Sequence, residues 1–361
     1  MSPTRLFCFG VLAAIALCLS PAWAQESAAR LITEQHYRRA EPLVFTALTK
    51  QPQNIEALTE LSTIEWSFGD LDKAQATAEK AVAFAGESAV AHAQLVNILG
   101  AELAAKKTGT MQKLSLSRRF RKEADRTLQL DPNNVYAKEA LARFYWYAPG
   151  LAGGDKTKSM QIVNEVIRLN LTRGYALKAE LDATQDSQRV LEDWKQAVAA
   201  QPQSYSAHIG LGNCLLNADG EGWKGAEEEA KKAIAIDPSR EAAYRLLVTV
   251  YASTAQWLKL DAVIREAHTA APDDRGADFS AAQVILEKGF QTQFARAEEY
   301  LRSYLSVPPE GLEPSTAVGH WQLGLLLEKE GRRSTALEEV QTAAGLDPSL
   351  EGARHDVKRL Q

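Results

Sequence analysis

Apolar and small residues recur along most of this chain at separations of three, four and seven, the spacing that gathers side chains onto one face of an α-helix. Leu58, Leu61 and Ser62 form one such face, and after a polar turn Ala74, Ala78 and Ala81 form a second. The same two-helix pattern returns with Leu211 and Gly212 ahead of Ala226, Ala230 and Ala233. It returns again with Leu247 and Val248 ahead of Leu260, Ile264 and Ala267, and with Leu323 and Gly324 ahead of Ala336, Val340 and Ala343. Small residues at matched sites let the two helices of a unit approach closely.

Corners punctuate the pattern. Asp131-Pro132, Asp237-Pro238 and Asp347-Pro348 each follow a second helix, because the residue before proline is driven out of the helical region. Aligned with Pro52, Gly86, Leu171, Pro202, Pro272 and Pro309, they mark eight intervals that average 37 residues, a base period of 34 with insertions. These units resemble the tetratricopeptide repeat (TPR) family. The resemblance implies an all-α fold, a right-handed α-solenoid of stacked helix-turn-helix repeats, with about eight repeats over residues 54–350. Residues 25–53 read as an N-terminal half repeat whose second helix carries Tyr37, Ala40, Val44 and Ala47. Residues 351–361 read as a charged C-terminal capping helix, which the exposed last face of a solenoid requires.

The first 24 residues stand apart from the repeats. Arg5, an apolar run from Leu6 to Leu19 and the small-residue pattern Ala22-Trp23-Ala24 follow the three-part order of a secretory signal peptide, with cleavage expected before Gln25. The apolar run is too short for a membrane anchor, so no integral span is expected after cleavage, and a periplasmic location follows. Phe7 and Leu17 precede Cys8 and Cys18 where lipoprotein processing requires small residues. Loss of the leader leaves Cys214, in the apolar stretch LGNCLL, as a lone thiol expected to be buried and inert. Composition adds one exclusion: Lys+Arg 41 against Asp+Glu 46 gives a net charge of −5, so no global attraction for nucleic acid is expected.

Two units are lengthened beyond the period by irregular stretches, and departures are where a solenoid is expected to carry function. The stretch 100–122 is an insert containing Lys113, Arg118, Arg119, Arg121 and Lys122, a basic island suited to docking an acidic partner or to forming a solvated helix extension. The stretch 148–155, APGLAGGD, is an enlarged inter-helix turn. It lacks the Gly-Lys-Ser/Thr and the preceding strand of a phosphate loop. The unit from Gly174 to Pro202 is shortened and carries Glu180-Leu181-Asp182 in place of an apolar and small pair.

Catalytic signatures are absent. No HExxH, CxxC or GxSxG occurs, and His92, His208 and His320 occupy one repeat site, where they are expected to pack structurally. No catalytic residue, cofactor or metal is expected. The TPR resemblance instead implies a concave groove lined by first helices, and nominates Trp66, Asn97, Arg143, Trp146, Tyr147, Asn213, Arg245 and Trp321 as partner-binding positions. The Lys/Asn/Arg carboxylate clamp of the family's chaperone-binding members lacks its lysine here. The expected function is a non-enzymatic scaffold in the cell envelope that binds a peptide or protein segment. An accessory subunit of an envelope assembly, secretion or transport machine is one alternative. A glycan or small-ligand binder stacking on groove aromatics is another, and the oligomeric state stays open.

Overall fold

A computed structural model describes residues 26–104, 110–183, 187–217, 222–311 and 313–361; the leader at 1–24 and Lys106 and Lys107 of the insert lie outside them. Among the described residues there are nineteen α-helices and no strand. They run α1 (Ala28–Thr33), α2 (Tyr37–Lys50), α3 (Ile55–Ser67), α4 (Leu71–Phe84), α5 (Ala89–Ala104), α6 (Thr110–Leu130), α7 (Val135–Tyr147), α8 (Lys156–Leu169), α9 (Leu171–Asp182) and α10 (Ser187–Ala200). They continue with α11 (Tyr205–Leu216), α12 (Gly222–Ile236), α13 (Ala242–Ser253), α14 (Trp257–Ala270), α15 (Gly276–Lys288), α16 (Phe294–Tyr304), α17 (Thr316–Lys329), α18 (Arg333–Leu346) and α19 (Glu351–Leu360). Each odd helix up to α17 packs on the even helix that follows, giving nine pairs, and from α3 to α17 most odd helices also stack on the next odd one. The architecture is an α-solenoid, closed at its carboxyl end by α19 packed on α18.

Local chemistry explains the corners. At Gln51-Pro52-Gln53-Asn54 the Asn54 amide donates to the Gln51 carbonyl at 3.0 Å, and the Asn54 side chain then accepts from the Ala57 amide at 3.1 Å. Proline pre-sets the second turn position, and the fourth residue is already the cap of the next helix. The same construction recurs at 131–134 and 201–204, where Asn134 and Ser204 are the caps.

Within a pair, small residues set the spacing and a polar latch fixes the register. A Cβ added at Gly324 would lie 2.5 Å from Val340 Cγ2 and 3.1 Å from the Ala336 carbonyl oxygen, so α17 and α18 approach as only glycine permits. The equivalent histidines bridge each pair through Nδ1: His92 to Glu123 at 2.6 Å, His208 to Glu229 at 2.5 Å and His320 to Glu339 at 2.6 Å. The Nε2 atoms of His92 and His208 donate to the corner carbonyls of Gly86 and Pro202 at 3.0 and 2.9 Å. Tyr244, one repeat beyond His208, reaches the Pro238 carbonyl at 3.1 Å with its hydroxyl. No helix among the described residues is long and apolar enough to cross a membrane.

The core is uneven along the axis. One continuous cluster of buried side chains runs from Ala226 to Leu360, joining the sixth to ninth pairs and α19. The amino-terminal half divides into separate clusters around Ala40 and Ile64, Leu58 and Ala91, Leu95 and Phe120, and Val163 and Leu177.

Candidate functional site

The second to fourth pairs, with Ala29 and Ile32 of α1 and Glu180 of α9, enclose a groove of about 1570 Å³. Its floor comes from the first helices of these pairs, where Trp66, Ala93, Asn97 and Ala140 face inward from α3, α5 and α7. One wall is the amino-terminal part of α6, with Met111, Lys113, Leu114, Ser117 and Phe120. Another is the loop after α7, which lines the groove with Pro149, Leu151 and Ala152 and forms a single 3-10 turn at Gly150–Ala152. Leu151 is fully exposed and Met111 is 81% exposed, so both apolar side chains stand at the mouth in water. Phe120 and Phe144 pack at 5.2 Å between ring centroids and join the two walls.

Both departures from the repeat period therefore build one site. Both helices of this pair are long, α5 with 16 residues and α6 with 21, and the enlarged turn places Leu151 on the same groove as the first turns of α6. The basic reading of the insert covered one side of this helix. Arg118, Arg121 and Lys122 are exposed away from the core, whereas Leu114, Ser117 and Phe120 recur at helical spacing on the groove side. Arg119 pairs with Glu79 of α4 at 2.5 Å and Arg126 with Glu87 at 2.5 Å, tying the long helix to the preceding unit.

Arg143, Glu139 and Glu180 of the groove are committed to ion pairs. Arg143 donates from Nε and Nη2 to both oxygens of Glu180 at 2.9 and 2.7 Å, and Glu139 accepts a bidentate pair from Arg173 at 2.7 and 2.8 Å. Burial opposes the charge on Arg143 and Arg173, but the facing carboxylates more than restore it and hold both guanidiniums above their ordinary range. Burial also pushes up the Glu60 carboxyl, beside Glu56, and the Tyr147 phenol. A network of this kind positions side chains and leaves recognition to the apolar surface.

Of the eight nominated partner-binding residues, Trp66, Asn97, Arg143 and Tyr147 line this groove. The other four lie elsewhere. Trp146 is 8% exposed, packs with Val163 and Leu181, and faces a separate cavity of about 420 Å³ beside Lys178 and Asp182. One residue of offset on a helix turns a side chain by about a quarter of a circle, which separates Trp146 from Tyr147. Asn213 is exposed on α11. Trp321 is covered by the cap, its Nε1 donating to Asp356 at 2.9 Å. Arg245 pairs with Glu241 and Glu313, each at 3.0 Å. Glu241, Asp274 and Glu313 offer oxygens within 4.8 Å of one another, as a cation site would, but the Arg245 guanidinium already supplies the positive charge there. The sequence reading missed Met111, Phe120 and Leu151; the helical spacing of Leu114, Ser117 and Phe120 inside a charged stretch was the available signal. Cys214 is half-buried, and burial raises its thiol pKa.

No family model and no curated protein sequence matches the chain. Solved structures do. Yeast Tom70 matches at 13% identity over 92% of this chain and 79% of its own, with a TM-score of 0.52. A monomeric variant of human IFIT1, solved with Gppp-AAAA, matches at 15% identity over the same shares, with a TM-score of 0.51. TTC0263, a TPR protein of Thermus thermophilus, matches at 17% identity over 52% of this chain and 95% of its own, at 0.46. The first two are TPR proteins, and their likeness shows the fold: this chain is a TPR-type solenoid.

Proposed function

We propose that the protein is a non-enzymatic scaffold of the cell envelope that binds a segment of a partner protein in the groove of the second to fourth pairs. The observation that carries this reading is the convergence of both irregular stretches, the long α6 and the 148–155 turn, on one apolar groove with Met111 and Leu151 exposed at its mouth. Exposed apolar side chains around a concave surface mark a binding site in a protein that otherwise buries its core. The envelope location rests on the leader pattern at 1–24. The non-enzymatic reading rests on the ion pairs that occupy Arg143, Glu139 and Glu180 of the groove.

A polyanion such as the Gppp-AAAA bound to IFIT1 suits this groove poorly. Glu60, Glu139 and Glu180 line it against Lys113 and Arg143, and Arg143 is already bidentate to Glu180. Affinity capture from an envelope extract tests the proposal. One protein retained by the wild type and lost with both Trp66→Ala and Tyr147→Ala supports groove binding. Capture unchanged by both variants, but lost when Arg118, Arg121 and Lys122 become alanine, overturns it in favour of docking on the outer basic face. Binding to a glycan array without any protein captured favours the stacking alternative.

A further inference from the structure

The chain winds far enough for its first pair to meet its last three. Three features of the α1–α2 corner make the contact, across more than 200 residues. His36 Nε2 donates to the Ser239 carbonyl at 3.1 Å, and His36 Nδ1 lies 3.5 Å from Asp273. The Arg38 amide donates to both Glu310 carboxyl oxygens at 3.2 Å, and its guanidinium donates to the Pro309 carbonyl at 3.0 and 2.9 Å. A Cβ at Gly311 would lie 2.7 Å from the Tyr37 ring, so the ring lies directly on the backbone of that loop.

The contact has the form of a missing cap. Arg38 is the second residue of α2, so its amide has no acceptor within the helix, and His36 at the cap position makes no side-chain capping bond. Glu310, in the loop between α16 and α17, supplies the acceptor that other helices of this protein take from their own Asn, Asp or Ser. Glu310 is 3% exposed and His36 2% exposed, so the junction is dry.

We infer that the first helix pair is a proton-dependent clasp, in which Glu310 caps α2 across the solenoid and His36 ties it to the corners of the seventh and eighth pairs. Deprotonation releases the pair.

The charged surroundings come from every element at the junction. The first pair contributes Arg30, Glu34, His36, Tyr37, Arg38 and Arg39, with Glu26 paired to Arg39. The corner before α13 and α13 itself bring Asp237, Arg240, Glu241 and Arg245; the corner before α15 brings Asp273, Asp274 and Arg275. The last loop brings Glu310 and Glu313, with Tyr304 of α16 behind them.

Carboxylates exceed cations here. Burial first, and Asp273 and Asp274 after it, push Glu310 up to about 7 against the opposing bond from Arg38. Burial works against a charge on His36, but Asp273 and Glu310 raise its pKa above the ordinary value. A carboxyl held at about 7, against 4.5 when free, contributes to closure fully below pH 4.5, and the contribution is lost as pH rises through about 7. His36 works in the same direction. Asp273, lowered by His36 despite its burial, weakens closure on the acid side alone, as pH falls through its reduced value.

Amide hydrogen exchange on the full chain, corrected for the intrinsic pH dependence, tests the clasp at Arg38. The wild type is expected to lose at least tenfold of its protection there between pH 6 and pH 8.5, with amides in α5 unchanged. Glu310→Gln, which still accepts the amide bond but cannot ionise, is expected to keep its protection at pH 8.5. Protection that does not change with pH in the wild type, or the same loss in Glu310→Gln, overturns the inference. Ala29 and Ile32 of the clasped pair line the groove, but protection at Arg38 is read without any groove ligand, so either result leaves the groove reading to its own test.

Discussion

The second to fourth pairs and the seventh to ninth pairs use the same helix-turn-helix unit for opposite ends. In the carboxyl half Leu247, Leu260, Phe279 and Leu323 belong to one continuous core, and Trp321, at a groove-facing repeat position, is covered by α19. In the amino half, where α6 is lengthened and the 148–155 turn enlarged, the core divides into separate clusters and apolar side chains line an open groove. Regular spacing gives a repeat array its stability, because each unit is held by its neighbours. Broken spacing gives it a concave surface that its own chain does not fill.

The contrast can be broken at its stable end first. Gly324→Leu is expected to cost about 3 kcal/mol, since the leucine would enter the space held by Val340 and the Ala336 carbonyl. Hydrogen exchange would show α17 to α19 losing protection before the amino half; a uniform loss along the chain would contradict a neighbour-held array. His208→Ala comes next, at about 2 kcal/mol, because it leaves Glu229, 7% exposed, with Lys232 as its remaining partner. Denaturant unfolding of His208→Ala with and without Glu229→Gln measures this, and the double variant should recover part of the loss.

A smaller effect is expected from pH. Between pH 6 and 8.5 the melting temperature should fall by a few degrees as Glu310 ionises and His36 loses its proton, with Glu310→Gln flattening the slope. A wild-type melting temperature that rises over this range would reverse the sign. Smallest in stability is Leu151→Ser at the groove mouth, within about 0.5 kcal/mol because the side chain is fully exposed. Its partner affinity should fall about tenfold, so stability and binding separate at this one residue.

How much of this was legible in the sequence differs between the two halves for a physical reason. Helix pairs and corners follow from local rules, since Pro52 and Asn54 set a turn and a cap within four residues. The structural role of His208 was readable from its repeat phase, but its partner Glu229 was not, because many glutamates occupy similar surface phases. The groove was half legible: Trp66, Asn97, Arg143 and Tyr147 follow from first-helix phase, whereas Leu151 owes its place to a turn whose path no period describes. Arg245 and Trp321 share that phase yet are taken up by Glu313 and by Asp356 of the cap. The contact of Arg38 with Glu310 depends on the summed rotation of eight units, which no local pattern carries.

The central claim is that partner binding belongs to the irregular half. A photo-crosslinking residue placed at Leu151 and, in a parallel protein, at Leu346 of α18, which is also solvent-facing at 56% exposure, compares the two halves directly in the cell. Crosslinks to one discrete protein from position 151, with none from 346, are the expected result. Crosslinks from 346 with none from 151 would contradict it.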